Sequence, residues 1–378
     1  MTYIHRAIEP VIKEYLTAFP VIGLTGPRQS GKSTLLQSIL KKYTYVTFDD
    51  YKLRSLFEHD PEKFMSIYES EVIFDEVQKV PEIFNYIKMA VDRDRQHYGK
   101  FVLTGSNQFA FLQNITESLA GRMGLLSLLP FQYSEIPKIM REEAIYRGSY
   151  PELVMREYQH SKAWYTSYVD TYLMKDVRQI SNIGDIRDFQ RFMNLLAANT
   201  AQILDLTHYA NDLGVAVNTI KRWLSVLEAS YIIFLLPPFY ENYGKRIVKS
   251  PKVYFYDTGL VAFLTGITTK ELYLHGPMAG SLFENYIVAE IAKKESHQKT
   301  NAHLYYLRTT HGVEVDLIVD RKMSKEFIEI KLSSTFKPRM VKAVEAFISN
   351  KDKGYLLYTG ENFPYKPITV VNYKDYLD

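Results

Sequence analysis

Gly26-Pro27-Arg28-Gln29-Ser30-Gly31-Lys32-Ser33 fits the pattern G-x-x-x-x-G-K-[ST] at every position. The run before it, Val21-Ile22-Gly23-Leu24, is apolar and short, as a buried strand is. The run after it carries apolar residues at 35, 36, 39 and 40, the spacing of a helix face. Strand, glycine loop and helix together commit this stretch to an α/β layer with a phosphate cradle at the strand's end. The glycines let backbone N–H groups turn inward, and the helix N-terminus adds a favourable dipole. Lys32 then reaches the outer phosphates, and the Ser33 hydroxyl is the Mg²⁺ ligand. The expected nucleotide-binding set is Gly26, Arg28, Gln29, Ser30, Gly31, Lys32, Ser33 and Thr34, and the expected ligands are ATP and Mg²⁺.

A chain of 378 residues is too long for one ordinary core, so two or three domains are expected. There are 0 cysteines, which excludes disulfides, thiol catalysis and cysteine-ligated zinc or iron–sulfur clusters. The first ten residues lack the apolar core of a signal peptide, and the longest aliphatic-aromatic run, 231–239, is too short to span a bilayer. A cytoplasmic protein with no membrane partner is the expectation. The net charge of +3 does not by itself mark a nucleic-acid binder. Residues 241–378 nonetheless carry 20 Lys/Arg against 16 Asp/Glu, with Lys245, Arg246, Lys249 and Lys252 clustered in one segment. That segment is either a solvated basic loop or a contact to a phosphate backbone.

Beyond the loop, Tyr45-Val46-Thr47-Phe48 reads as a strand, and Glu71-Val72-Ile73-Phe74 as another that ends in Asp75-Glu76. A nucleotide hydrolase needs two such carboxylates beside its phosphate loop. Asp75 would hold Mg²⁺ through its water shell, and Glu76 would orient and polarise the attacking water. A fourth strand, Lys100-Phe101-Val102-Leu103, runs into Thr104-Gly105-Ser106-Asn107, where Asn107 or Ser106 is placed to reach the γ-phosphate or the water. A plain Gly-Ser-Asn turn is the competing reading. Arg122, before a fifth strand at 125–129, is either a transition-state cation for its own or a neighbouring subunit, or a surface arginine.

The runs Thr25-Gly-Pro-Arg-Gln-Ser-Gly-Lys-Ser33, Phe74-Asp-Glu-Val-Gln78, Leu103-Thr-Gly-Ser106, Ala120-Gly-Arg122 and Pro130-Phe-Gln-Tyr-Ser-Glu135 together resemble the prokaryotic AAA-type ATPases that carry a C-terminal DUF4143 domain. The likeness continues through Lys249-Ser-Pro-Lys-Val-Tyr-Phe-Tyr-Asp-Thr-Gly-Leu260 and covers nearly the whole chain. It implies a P-loop AAA+ parallel sheet over 1–135, a helical and winged-helix middle over 136–240, and a restriction-endonuclease-like α/β domain over 241–378.

In the middle region, residues 206–215 and 216–230 read as two short helices broken at Leu213-Gly214-Val215, a helix-turn-helix pattern. The second would present Asn218, Thr219, Lys221 and Arg222 to bases and phosphates, with 231–236 as a wing strand. DNA contact through Lys221, Arg222 and the 245–252 loop stands beside a protein-docking role for the same module.

Toward the end of the chain, residues 280–291 read as an amphipathic helix bearing Glu284, followed by strands at 305–308, 314–319 and 326–332. Glu329 and Lys331 are two apart on one strand and share a face. With Asp316 on the strand before them, they resemble the PD-(D/E)xK nuclease core, although Val315 stands where that name has proline. The resemblance implies Mg²⁺ on Asp316, Glu329 and Glu284, with Lys331 positioning or deprotonating water. A solvated Glu-x-Lys face, or a nuclease fold kept only for binding, is the other reading. The expectation is therefore an ATPase that couples hydrolysis to a winged-helix and nuclease-like module acting on DNA. The alternative is an ATP-switched regulatory or defence protein whose C-terminal domain is a catalytically inactive binding module. Assembly with further copies of the chain is left open.

Overall fold

The computed structural model describes residues 3–105, 119–173, 186–239 and 250–378, which form two compact units. The first comprises residues 1–131 with 229–231, and the second comprises 132–228 with 232–378.

The first unit is built on the five strands expected from sequence: β1 (Val21–Thr25), β2 (Thr44–Thr47), β3 (Val72–Asp75), β4 (Phe101–Thr104) and β5 (Met123–Ser127). They lie in the order β2-β3-β4-β1-β5, and every neighbouring pair is parallel. Alternation along the strands splits the core into two layers. Val21, Phe74, Phe101 and Leu103 face an aromatic cluster with Phe48, Phe57, Phe64 and Phe84. Ile22, Leu24, Ile73, Val102 and Leu126 face Leu35, Leu36, Ile8 and Ile12. The covering helices are α1 (Glu9–Ala18), α2 (Lys32–Ile39), α3 (Tyr51–His59), α4 (Pro61–Ile67) and α5 (Ile83–Arg93). Asp50 and Asp60 start α3 and α4 by accepting from Lys52 N and Lys63 N at 2.7 and 3.0 Å. Because all five strands run the same way, their C-terminal ends share one edge, and β1 delivers the glycine loop to it.

The second unit begins with α6 (Arg141–Arg147), α7 (Pro151–Met155), α8 (Ser161–Ser167), a π-helical turn at Tyr168–Leu173, and α9 (Ile186–Ala198). The expected pair of helices follows as α10 (Leu206–Leu213) and α11 (Val217–Ala229). Gly214, at φ 68°, closes α10 in the left-handed conformation that glycine adopts without strain. Strand β6 (Ile233–Leu236) then pairs antiparallel with β7 (Lys252–Phe255). The hairpin therefore spans the domain boundary expected at 240/241, and no unit boundary falls there.

After α12 (Thr258–Thr265) and α13 (Lys270–His275) comes α14 (Ala279–Gln298). An amphipathic helix was expected here, but α14 is buried on most sides, polar residues included. The reason is specific pairing. Asn285 exchanges hydrogen bonds with the Phe255 backbone at 2.9 and 2.7 Å, and Lys293 Nζ donates to Glu290 at 2.8 Å and to Ser149 Oγ at 2.9 Å. A six-stranded sheet follows in the order β12-β13-β11-β10-β9-β8, made of β8 (His303–Arg308), β9 (Glu314–Asp320), β10 (Lys325–Lys331), β11 (Lys353–Tyr358), β12 (Phe363–Tyr365) and β13 (Ile368–Asn372). Strands β8, β9 and β10 form an antiparallel meander, whereas β10–β11 and β11–β13 are parallel. Helix α15 (Lys342–Phe347) is the crossover between β10 and β11, and α16 (Tyr373–Leu377) follows β13.

Part of the Tyr256-Asp257-Thr258-Gly259 run has a packing role. Buried Asp257 caps α12 through Leu260 N at 2.9 Å and accepts from Ser149 N and Tyr165 Oη, each at 2.6 Å. A Cβ on Gly259 would lie 2.4 Å from Gly148 N, so only glycine permits this approach.

Candidate functional site

The first candidate site lies at the C-terminal edge of the parallel sheet. Gly26 sits at φ 140°, and a Cβ there would meet Leu128 O at 2.1 Å, so the first motif glycine is a steric requirement. Gly31, at φ 92°, is the N-cap of α2. Lys32 Nζ lies in the curl of the loop, 3.0 Å from Gly26 O and 2.9 Å from Pro27 O. Burial pulls its pKa down to about 8, against the raising effect of Glu76 and Asp75. Two further loop atoms, Ser30 Oγ and Gln29 Oε1, are buried without a hydrogen-bond partner, as groups meant for a ligand would be. Arg6 braces the loop from behind, with Nη1 on Ser30 O at 2.9 Å and Nη2 on Leu129 O at 2.7 Å.

Strand β3 brings its carboxylates to the same edge. Ser33 Oγ donates to Asp75 Oδ2 at 2.9 Å, and the hydroxyls of Tyr45 and Thr104 also donate to Asp75. Glu76 follows in the left-handed conformation, at φ 57°, with Gln78 Nε2 on its carboxylate. Burial raises the Glu76 pKa, and Lys32 works against that rise. The sequence had pointed to Asn107 or Ser106 as the polar group at the end of β4; both lie outside the described residues. Among the described residues it is Thr104, the last residue of β4, whose side chain reaches the acidic strand end.

Arg122 is placed elsewhere. Its backbone carbonyl accepts from Val21 N at 3.3 Å, so it stands at the N-terminal edge, the full length of β1 from the loop. Its guanidinium is forked onto Asp92 at 2.8 and 3.1 Å. Service as a charge-neutralising arginine in its own subunit is thereby excluded, because five strand residues span roughly 16 Å.

The second candidate site is the carboxylate pocket of the second unit. Asp316 on β9 accepts from Ile330 N at 2.8 Å and from Lys331 Nζ at 3.2 Å. Lys331 Nζ also lies 2.6 Å from Glu329 Oε1. Glu284, from α14, accepts from Tyr254 Oη at 2.7 Å and from Lys252 Nζ at 3.0 Å. Burial and the nearby Asp316 charge push Glu284 and Glu329 well above the ordinary carboxylate range. Burial works against the charge of both lysines, but the surrounding carboxylates overcome it and hold both above the usual lysine value. The four residues named from sequence thus converge. They are not arranged about one ion, however: no group of three Asp, Glu or His among the described residues has a metal-holding arrangement. Glu284 is committed to Lys252 instead, which corrects the expectation of a shell shared with Asp316 and Glu329.

Lys252 had been grouped with the basic 245–252 segment as a contact to DNA. It is 3% exposed and turned inward, so that role is excluded for this residue; 245–249 lie outside the described residues. On α11, Asn218, Lys221 and Arg222 are exposed while Ile220, Trp223 and Leu224 are buried, so the polar face is free as the pattern required.

Three family models match consecutive parts of the chain: an AAA domain over residues 18–137, a domain of unknown function (DUF8612) over 138–271, and a second (DUF4143) over 279–376. Uncharacterized proteins of Mycobacterium bovis and Mycobacterium tuberculosis are each 30% identical over 326 residues, covering 86% of this chain and 73% of their own. The chain belongs to the AAA-type ATPases that carry a DUF4143 domain. Among solved structures, a Walker-type ATPase of Pyrococcus abyssi aligns with TM-score 0.48 at 16% identity, over 70% of this chain and 96% of that one. No helix among the described residues is long and apolar enough to cross a membrane.

Within this AAA ATPase, motif reading found the loop and the acidic pair but missed Tyr45, Thr104, Arg6 and Lys252. The first two are β-strand residues of ordinary type, and only strand adjacency puts their hydroxyls on Asp75. Lys252 carried no signal of its own: every residue of Lys252–Phe255 is buried, and a lysine there is seen to turn inward only once its carboxylate partners are in place.

Proposed function

We propose that this protein is a Mg²⁺-dependent ATPase whose hydrolysis cycle drives a winged-helix and nuclease-like module on DNA. The observation that carries the ATPase reading is the meeting of Lys32, Ser33, Asp75 and Glu76 at one edge of the parallel sheet. In this reading the loop N–H groups and Lys32 hold the β- and γ-phosphates. The donor set suits Mg²⁺, since Ser33 Oγ and the Asp75 carboxylate already lie side by side; bound there, Mg²⁺ supplies charge neutralisation of the phosphate oxygens. Glu76 orients the attacking water and accepts its proton, a task for which a carboxylate of raised pKa is better suited than an ordinary one. Phosphate release from ATP should require Lys32 and Glu76. Full turnover in Glu76→Gln would overturn this assignment.

For the DNA-directed part, the supporting features are α10, the left-handed Gly214 turn, α11 with exposed Lys221 and Arg222, and the β6–β7 hairpin as wing. The order α14, antiparallel β8-β9-β10, α15 and parallel β11 is compatible with a restriction-endonuclease-like core, with the Glu-x-Lys of Glu329 and Lys331 on β10. Asp316 and Glu329 are the carboxylates whose position suits a divalent cation, with Lys331 beside them to position water.

A second reading has its own observation. Lys252 and Lys331 between them contact every carboxylate of the pocket, which favours a binding module without cleavage, in an ATP-switched regulatory or defence protein. Mg²⁺-dependent cleavage of plasmid or single-stranded DNA, lost in Lys331→Ala, supports the first reading. Absence of cleavage with DNA binding intact supports the second.

A further inference from the structure

Lys252 is the residue of the carboxylate pocket that the nuclease-like pattern does not account for. It comes from the β6–β7 hairpin, outside the α14–β11 core that supplies the other side chains. On β7, Lys252 and Tyr254 are two apart and share a face, and both end on Glu284 Oε1. Lys252 Nζ lies also 2.5 Å from Glu314 Oε1, and Arg308 Nη1 lies 3.3 Å from the other Glu314 oxygen. The Glu284–Glu314 half of the pocket is therefore supplied with cations and donors by the protein itself.

The other half differs. Lys331 is shared between Asp316 and Glu329, and Glu329 Oε2 is buried with no hydrogen-bond partner. A buried, unsatisfied carboxylate oxygen is costly and marks the position where a ligand would be welcome.

We propose that Lys252 is a fixed counter-cation of this pocket, standing at Glu284 and Glu314 where a divalent ion would otherwise be needed, so that the pocket accepts at most one such ion, on its Asp316–Glu329 side. The inference rests on the convergence of these side chains and not on cleavage of any substrate. It is electrostatic in origin. Three or four carboxylates brought together out of water require compensation, and a buried ammonium with two carboxylate partners provides it permanently. Removing that ammonium leaves Glu284 half-buried and its charge uncompensated, a change that is destabilising unless another cation enters.

The test uses the full chain without nucleotide and Mn²⁺ as the probe, with ions at the pocket counted by electron paramagnetic resonance as those lost when Asp316→Asn and Glu284→Gln are introduced together. The wild type should bind no more than one, and its unfolding temperature should differ less between EDTA and Mn²⁺ than that of Lys252→Met. Lys252→Met should unfold roughly 5–15 °C lower in EDTA, recover most of that in Mn²⁺, and bind one ion more. Two ions in the wild type would overturn the proposal. So would a Lys252→Met protein with wild-type stability and wild-type metal count. Should Lys252→Met not fold, Glu284→Gln in the wild-type background serves instead: an unchanged ion count supports the proposal, and a reduced one sinks it. DNA cleavage, assayed separately, can fail without altering any of these readouts.

Discussion

Ser33 Oγ donates to Asp75 Oδ2 at 2.9 Å, joining the first turn of α2 to the end of β3 across 42 residues of chain. The contact exists because β1 and β3 are parallel strands flanking β4, so their C-terminal ends stand along one edge. It places a hydroxyl and a carboxylate together at that edge, and three predictions concern what surrounds it.

Lys32→Ala should lose most nucleotide affinity, since the buried phosphate partner disappears. Glu76→Gln should keep affinity and slow hydrolysis by about 10²–10⁴-fold, the range for loss of a general base. Calorimetry for binding and phosphate release for turnover separate the two.

Thr104→Val removes a hydroxyl from Asp75 while keeping the side chain's shape. We expect ATP affinity in EDTA to stay at the wild-type level and Mg²⁺-dependent turnover to fall by roughly tenfold, the effect of about 1.4 kcal/mol in the barrier. Equal losses with and without Mg²⁺ would show that Thr104 supports the loop rather than the acidic strand end.

The depressed Lys32 pKa of about 8 has a definite sign. Above that pH the free protein holds Lys32 largely uncharged, and a triphosphate beside it restores the proton. Binding at about pH 9 should thus take up close to one proton, and affinity should decline as pH rises through 8. Titrations in EDTA, in buffers of different ionisation enthalpy, read the uptake directly, and Lys32→Arg should abolish it.

Lys221→Glu with Arg222→Glu should weaken DNA binding and lower the slope of log affinity against log salt by about 2, one counterion per lost phosphate contact. Both side chains are exposed on α11, so the fold should be unaffected; far-ultraviolet circular dichroism checks this. Undetectable or salt-independent binding by the wild type across DNA and RNA forms would favour the docking-module reading.

Asp257→Ala should destabilise the second unit by roughly 3 kcal/mol or more, because Ser149 N, Tyr165 Oη and Leu260 N lose a buried acceptor together. Denaturant midpoints on the full chain measure it, and ATP turnover in the folded fraction should be unchanged.

Much of this was legible in the chain itself. The five strands of the first unit, the loop glycines and the Asp75-Glu76 strand end each depend on neighbours within a few residues, through alternation, positive φ or chain order. The helix pair at 206–229 was legible for the same reason, as were the four residues that converge in the carboxylate pocket. The buried character of α14 was not, because Glu290, Lys293 and His297 look like a solvated face until partners from distant segments are known.

The amino-acid sequence by itself determined the local conformations and the residue types from which the two sites are made. Tertiary structure alone decided which cation meets which carboxylate. Parallel strand order carried Arg122 to the edge away from the nucleotide loop and gave Thr104 and Tyr45 to Asp75. Hairpin pairing turned Lys252 from a candidate DNA contact into the partner of Glu284 and Glu314. Charges interact through space over a few ångströms whatever their separation along the chain, so their pairing is fixed only when the sheets are assembled.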